Sequence, residues 1–138
     1  MDAWQLWQEM ARVSEEAARL AEAGGCLRPA ASRYYYAAYQ AVTALLLYRG
    51  LTPSAEREAW GHDETPALLL DQLRTVIRSR DKRNDLAKRL VDLYRLRIIA
   101  DYQGSRVLSS GRLTIAARDA RYILRVMESV LPETERQP

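Results

Sequence analysis

Cysteine and histidine are almost missing from this chain, which contains one of each in 138 residues. Cys26 alone cannot close an internal disulfide, and with His62 as the only imidazole one chain cannot assemble a zinc site of the Cys/His type. The Glu-x-x-His pattern of di-iron helical bundles is missing too. The sequence therefore predicts a protein that folds without metal, cofactor or disulfide.

Long apolar runs are missing as well. The sequence has no stretch of about 18 consecutive apolar residues, the length that a membrane-spanning helix needs. Its first residues, Met1-Asp2-Ala3-Trp4, lack the basic and then apolar layout of a signal peptide. We therefore expect neither membrane insertion nor secretion, and the cytoplasm is the default location.

What the chain does have is helical periodicity from end to end. With 48% hydrophobic residues, residues 1–138 are long enough for one domain with its own core. The pattern predicts an all-α fold, an up-and-down bundle of four to five helices. The predicted helices cover about 2–23, 29–48, 64–78, 85–102 and 113–130, with a connector over 51–61, a polar break over 79–84 and a mobile tail over about 132–138.

Two features of the apolar residues bear on assembly. The first helix is amphipathic, with apolar residues recurring at Leu6, Met10, Val13, Ala17 and Leu20. Large apolar groups also stand near helix ends or in the connector, where one small bundle would struggle to cover them all: Trp4, Trp7, Leu51 and Trp60. We therefore predict a two-fold homodimer with some of these four groups at its interface.

Positive charge is concentrated in one stretch. Residues 74–97 hold nine Lys or Arg against three Asp and so carry +6, although the whole chain carries only +3. One interpretation is a solvated helix face on which Asp85 and Arg89 pair at i,i+4. The other is a footprint for RNA or phosphate.

Two segments place charge on otherwise apolar helices. The first is Ser-Arg-Tyr-Tyr-Tyr-Ala-Ala-Tyr-Gln-Ala at 32–41, and the second is Leu-Arg-Ile-Ile-Ala-Asp-Tyr at 96–102. Charges on such faces need partners. We expect Arg33 and Arg97 to gather around Asp101, with a hydroxyl from Tyr36 or a neighbouring tyrosine of the second helix, Tyr35 or Tyr39. The cluster either only fixes helix register or is the remnant of an anion or nucleotide pocket.

These two segments, with a histidine opening the next apolar helix at Gly61-His62-Asp63, resemble the HEPN superfamily. The resemblance is to its small prokaryotic branch with "SRxYYA" and "RxxADY" signatures, and it covers about residues 5–130. It implies a helical bundle that is usually dimeric and is often made beside a minimal nucleotidyltransferase. It also implies a role in toxin–antitoxin or defence systems.

Active ribonucleases of this superfamily carry an Arg-x(4–6)-His motif and cut RNA without metal across a dimer. The corresponding place here runs from Arg97 to Tyr102, so tyrosine stands where the resemblance predicts histidine. A phenol with an ordinary pKa near 10 is a poor base at neutral pH. The resemblance therefore predicts a non-catalytic module that binds a partner, a nucleotide or RNA.

A metal-independent ribonuclease toxin is the alternative. Arg57 and His62 also fit Arg-x4-His by count, although they lie in the connector and not in the later helix. Either this pair or Arg97 with Tyr102 would supply the catalytic groups. Otherwise His62 is a capping or packing residue at the start of the third helix.

Overall fold

The computed structural model describes residues 1–54 and 56–133, and within them the chain forms five helices and no strand. The helices are α1 (Ala3–Ala23), α2 (Leu27–Tyr48), α3 (Thr65–Gln72), α4 (Arg80–Tyr102) and α5 (Ser110–Ser129). The predicted all-α bundle is thereby confirmed. Most of the predicted tail, residues 134–138, lies outside the described residues. None of the helices of the described part is long and apolar enough to cross a membrane.

Helix α2 is the centre of the bundle. It packs against each of the other four helices, and 15 of its 22 residues are buried. Its largest buried side chains are aromatic near the start, where Tyr34 and Tyr35 lie, and aliphatic near the end, where Leu45 and Leu46 lie. The sequence-based prediction of a central second helix is confirmed. Its tyrosines bring hydroxyl groups into the interior, where they need polar partners.

Helix α1 packs on α2 with a different face from the one that its apolar residues mark. The buried residues of α1 are small or polar: Gln8, Ala11, Ser14 and Ala18. The side-chain amide of Gln40 on α2 is hydrogen-bonded to Ser14 Oγ at 2.7 Å. By contrast Leu6 is 52% exposed, Val13 60% and Leu20 65%. Small side chains let the two helices approach closely. Close packing against α2, and not hydrophobicity, therefore determines which face of α1 is buried.

The boundaries around α3 differ from those predicted. Helix α3 ends at Gln72 instead of about 78, and α4 begins at Arg80, so most of the predicted polar break belongs to α4. The reason is Arg83, which is only 7% exposed and donates to the carbonyl oxygens of Ile77 at 2.7 Å and Leu70 at 3.0 Å. The buried Arg83 thus donates to backbone carbonyl groups at and after the end of α3. Its position in a polar stretch of sequence does not indicate this role.

The large apolar groups from which a dimer interface is predicted pack against the core of their own chain to different extents. Trp60 is 7% exposed, and Trp4, Trp7 and Leu51 are partly buried against the core. That some of these four groups lie at a dimer interface stays a prediction, since Trp4, Trp7 and Leu51 keep part of their surface exposed. More strongly exposed apolar side chains lie on α1, at Leu6, Met10, Val13 and Leu20, and also at Val107 and Ile115.

The predicted i,i+4 pair on α4 is present. Arg89 Nε lies 2.9 Å from Asp85 Oδ2, and Arg89 Nη1 lies 2.9 Å from Asp119 Oδ1 on α5. Burial raises the pKa of Asp119, an effect that the Arg89 charge opposes. Arg89 also stands over the ring of Tyr122 at 4.4 Å. This part of the basic stretch therefore serves to join α4 to α5.

Candidate functional site

Arg97 lies at the centre of a polar cluster between α2 and α4. Its side chain is only 12% exposed, and its Nε lies 3.0 Å from Asp101 Oδ2 one turn later on α4. That contact is an ion pair without hydrogen-bond alignment, since Nε has no aligned acceptor among the described residues. The Ser32 hydroxyl of α2 donates to the same Asp101 oxygen at 3.1 Å. Asp101 thus ties the two helices together.

The other end of the Arg97 guanidinium meets two tyrosines. Its Nη2 donates to the Tyr36 hydroxyl at 2.8 Å and reaches the Tyr102 hydroxyl at 3.4 Å. The guanidinium carbon lies 5.2 Å from the centre of the Tyr36 ring and 5.3 Å from that of Tyr102. Tyr102 is 69% exposed, so the cluster opens to solvent on this side.

Arg33 joins this cluster through an aromatic ring. Its guanidinium carbon lies 4.8 Å from the centre of the Tyr36 ring, which it shares with Arg97. Asp101, which the sequence placed beside Arg33, is held instead by Arg97 and Ser32. We call Ser32, Arg33, Tyr36, Arg97, Asp101 and Tyr102 the Arg97 cluster. It carries two guanidinium groups against one carboxylate.

His62 lies in a cage of tyrosine rings. Its ring centre is 4.7 Å from that of Tyr39 and 5.4 Å from that of Tyr35, and it stacks on Tyr94 at 5.6 Å with 20° between the planes. Its Nδ1 is hydrogen-bonded to the Tyr35 hydroxyl. Tyr36, at 6.0 Å, belongs both to this cage and to the Arg97 cluster.

The electrostatics of the cage favour neutral groups. Burial lowers the pKa of His62, the positive charge of Arg97 lowers it further, and Asp63 opposes the shift. Burial also raises the pKa of Tyr35 far above its ordinary value. His62 therefore stands uncharged at neutral pH beside a phenol that keeps its proton.

Arg57 lies beside the histidine cage, next to Gly61, and pairs there with a carboxylate. Its Nη1 lies 3.1 Å from Glu64 Oε1, and its side chain is 51% exposed. The backbone nitrogen of Gly61 also donates to Glu64 Oε1, at 3.4 Å. Arg57 therefore braces the connector, while the imidazole of His62 contacts the tyrosines of α2 and feels the charge of Arg97. The spacing of Arg57 and His62 in sequence does not make them one contact pair.

The structure also reveals a supporting residue that the sequence analysis missed. Arg28, at the start of α2, donates through Nη1 to the carbonyl oxygens of Ile99 at 3.0 Å and Ala100 at 3.1 Å. Its Nη2 reaches the carbonyl oxygens of Gly104 at 3.4 Å and of Arg106. Arg28 thus caps the end of α4 behind Asp101 and Tyr102. An arginine next to a proline at a helix start carries no sequence signal for such a role.

A shallow groove lies on the neighbouring side of α4. It is lined by Tyr94, Ile98 and three arginines, Arg95, Arg106 and Arg112. Tyr94 also stacks on His62, so one ring is shared by the groove and the histidine cage. The surface next to the Arg97 cluster is therefore basic. Within residues 1–54 and 56–133, no group of three or more acidic, histidine or cysteine side chains is arranged to hold a metal ion.

The fold and this cluster define an all-α bundle with an arginine–tyrosine site between its second and fourth helices. The family model of the HEPN domain matches residues 4–137, and the chain belongs to that family. No curated protein matches the chain.

Proposed function

We propose that this chain is a non-catalytic HEPN protein that binds a phosphate-bearing ligand, a nucleotide or RNA, at the Arg97 cluster. Tyr102 is the observation that carries the proposal. Its phenol occupies the position five residues after Arg97, next to the guanidinium and open to solvent. An arginine fixed by Asp101 and Tyr36 presents N–H donors to a phosphate without the entropy cost of ordering a free side chain.

The same groups argue against catalysis. Strand scission at a ribose needs a base that takes up a proton near neutral pH, and a phenol with an ordinary pKa near 10 does not serve. His62 is surrounded by tyrosine rings and has Nδ1 engaged by Tyr35. The cluster thus supplies electrostatic attraction for a phosphate, while its accessible side lacks a suitable base.

The basic groove beside α4 extends this proposal from a nucleotide to a longer ligand. Arg95, Arg106 and Arg112 offer positive charge for successive phosphates, and Tyr94 offers a ring next to them. By the family resemblance, we further propose that the protein acts as a dimeric binding partner in a prokaryotic toxin–antitoxin or defence-type system. Its partner protein would be a minimal nucleotidyltransferase.

Titration of the purified protein with ATP and with a single-stranded oligoribonucleotide tests the ligand proposal. We expect binding that weakens at least about tenfold in Arg97→Ala and that falls with added salt. Arg57→Ala is the matched control, because Arg57 pairs with Glu64 outside the Arg97 cluster. Equal binding by Arg97→Ala and the wild type, or no binding of either probe, contradicts the proposal.

Co-expression with the product of the neighbouring gene tests the partner. We expect that gene to encode a minimal nucleotidyltransferase and the two proteins to elute together. A neighbouring nucleotidyltransferase that forms no complex with this chain contradicts that part.

A metal-independent ribonuclease is the second candidate, and one observation favours it. The Arg97 guanidinium carbon and the ring centre of His62 lie 5.2 Å and 6.0 Å from the centre of the same Tyr36 ring, so the arginine of the later helix and the only imidazole are close neighbours. In such an enzyme the histidine would handle the proton of the 2′-hydroxyl and the arginine would stabilise charge on the phosphorane. We expect little or no cleavage of single-stranded RNA in EDTA. Cleavage that disappears in both His62→Ala and Arg97→Ala would replace the binding proposal with the ribonuclease.

A further inference from the structure

His62 lies close to both positively charged surfaces on which the proposed ligand binds. Its ring centre is 6.0 Å from the centre of the Tyr36 ring, and the guanidinium carbon of Arg97 is 5.2 Å from that same centre. His62 also stacks on Tyr94, and Tyr94 lines the basic groove beside α4. The imidazole thus shares one aromatic ring with the Arg97 cluster and another with the groove.

The hydrogen bond of His62 fixes its protonation state in the free protein. The Tyr35 hydroxyl is bonded to Nδ1, and Tyr35 is only 1% exposed. Because burial raises the pKa of this phenol, it keeps its proton and donates, so that Nδ1 must accept. An imidazole that accepts at Nδ1 carries its single proton on Nε2 and is neutral. A second proton, on Nδ1, would reverse the direction of this bond.

The titratable and charged groups around His62 come from three parts of the chain. They are the phenols Tyr35, Tyr36 and Tyr39 of α2, Tyr94 and Arg97 of α4, and Asp63 with the Arg57–Glu64 pair next to Gly61.

Arg97 is the least exposed charge of this set. Its side chain is 12% exposed, whereas Asp63 is exposed to solvent and Arg57 is paired with Glu64. Water and salt screen exposed charges more than buried ones, so Arg97 has the stronger effect on the imidazole. It lowers the pKa of His62 in addition to the effect of burial, and Asp63 opposes this shift. An anion bound to Arg97 would cancel the positive charge that disfavours protonation.

We infer that an anionic ligand bound at the Arg97 cluster promotes uptake of a proton by His62, so that the protein binds such a ligand more tightly as the pH falls. The inference rests on the proposed function and adds a regulatory role for a residue outside the Arg97 cluster. Linkage requires the two effects to be equal: if the ligand favours the charged imidazole, the charged imidazole favours the ligand by the same factor. We expect affinity to rise about three- to fivefold from pH 7.5 to pH 5.5.

The test needs a probe that does not itself titrate in this range. Oligouridylate of about ten nucleotides with a hydroxyl at both ends is suitable, because its phosphodiesters and its bases keep their charge between pH 5.5 and pH 7.5. A terminal phosphate is avoided, since a phosphomonoester titrates near pH 6. Fluorescence anisotropy at constant ionic strength then gives the ratio of the affinities at the two pH values.

This ratio should be about three to five for the wild type and close to one for His62→Gln. Glutamine does not titrate, and its carbonyl oxygen can still accept from the Tyr35 hydroxyl. Asp119→Asn is the control, because Asp119 is another group whose pKa burial raises, and it lies between α4 and α5 beside Arg89. The ratio for Asp119→Asn should equal that of the wild type.

NMR titration of His62 in the wild type tests the same linkage without a substitution. Since His62 is the only histidine, its ring signals are identified directly, and saturation with oligouridylate should raise its pKa. The same oligonucleotide should leave the pKa unchanged in Arg97→Ala, which lacks the charge that the ligand cancels.

The outcomes keep this inference apart from the proposed function. Binding that depends on Arg97 but has equal affinity at both pH values would overturn the inference and leave the ligand site standing. So would a pH dependence that persists in His62→Gln, or a pKa of His62 that saturation does not move. No binding by the wild type at either pH would contradict both proposals.

Discussion

Arg97 Nη2 donates to the hydroxyl of Tyr36 at 2.8 Å, and this bond joins the two segments that the sequence marks as unusual. Tyr36 comes from the tyrosine-rich start of α2, and Arg97 comes from the end of α4. Because the ring of Tyr36 also contacts Arg33 and the histidine cage, one tyrosine joins both arginines of the site to His62. Energetic coupling within the site should therefore be strong at Arg97 and weaker toward its edges.

Our first prediction concerns that coupling. Asp101→Ala should lower the free energy of unfolding by about 1–2 kcal/mol, less than for a fully buried pair, because the Asp101 side chain is 29% exposed. In urea denaturation, Asp101→Ala and Arg97→Ala should be clearly non-additive. The coupling of Asp101 to Arg33 should be smaller, because Arg33 contacts the ring of Tyr36. Equal coupling energies of Asp101 with Arg97 and with Arg33 would contradict this arrangement of contacts.

The second prediction is a dependence of stability on pH through His62. Burial and the charge of Arg97 lower its pKa below the ordinary value of 6.5. In the unfolded chain the imidazole takes up a proton near pH 6.5, whereas in the folded chain it does so only at lower pH. The unfolded chain therefore binds more protons in this range, and the free energy of unfolding should fall as the pH drops below about 6.5. Above that value the contribution of His62 is fully present. His62→Gln should remove this part of the decrease between pH 7 and pH 5.5.

Direct titration by NMR checks the cause of the shift. Since His62 is the only histidine, its ring signals need no assignment. Arg97→Ala should raise the pKa of His62, and Arg57→Ala should leave it within error of the wild type. An unchanged pKa of His62 in Arg97→Ala would show that the charge of the Arg97 cluster does not act on the histidine cage.

The third prediction concerns Arg28, which holds the end of α4. Arg28→Ala leaves several backbone carbonyl oxygens at that end without a donor and should cost about 1–3 kcal/mol in thermal or urea denaturation. Arg28→Lys should recover little of the lost stability, because one ammonium group cannot donate to these carbonyl oxygens from two nitrogens as the guanidinium does. If the protein binds RNA as proposed, affinity should also fall, since Asp101 and Tyr102 lose their support. Full stability of Arg28→Ala would rule out this capping role.

The fourth prediction concerns the boundary between α3 and α4. Arg83→Ala removes a buried guanidinium from the carbonyl oxygens of Leu70 and Ile77 and should cost about 2–3 kcal/mol. Arg80→Ala, three residues earlier and exposed, is the matched control and should change stability by less than about 0.5 kcal/mol. Similar effects of the two substitutions would mean that the polar run is only a solvated helix start.

Much of the fold could be read directly from residue pattern. Apolar periodicity predicted the helices, and the nearly polar-free run from Pro29 to Tyr48 predicted the buried centre, because both depend on local spacing and composition. The charged residues on apolar helices likewise indicated a polar cluster, since isolated charges on such faces are unfavourable. The sequence pattern alone therefore predicts that Arg97, Asp101 and the tyrosines of α2 lie together.

Other features depended on which surfaces meet. The sequence alone could not reveal that α1 would bury Ala11 and Ala18 and leave Leu6 and Leu20 in water, because the closeness of the approach to α2 decides that choice.

Long-range contacts decided the rest of the site. Arg28 reaches carbonyl groups more than seventy residues away in the sequence. His62 contacts the tyrosines of α2, while Arg57, which the Arg-x4-His count places with it, pairs with Glu64. Local sequence determines which segments become helices, because their hydrogen bonds close within a few residues. Tertiary packing determines which side chains share a site, because those partners are distant in the chain and are selected by shape and charge in space.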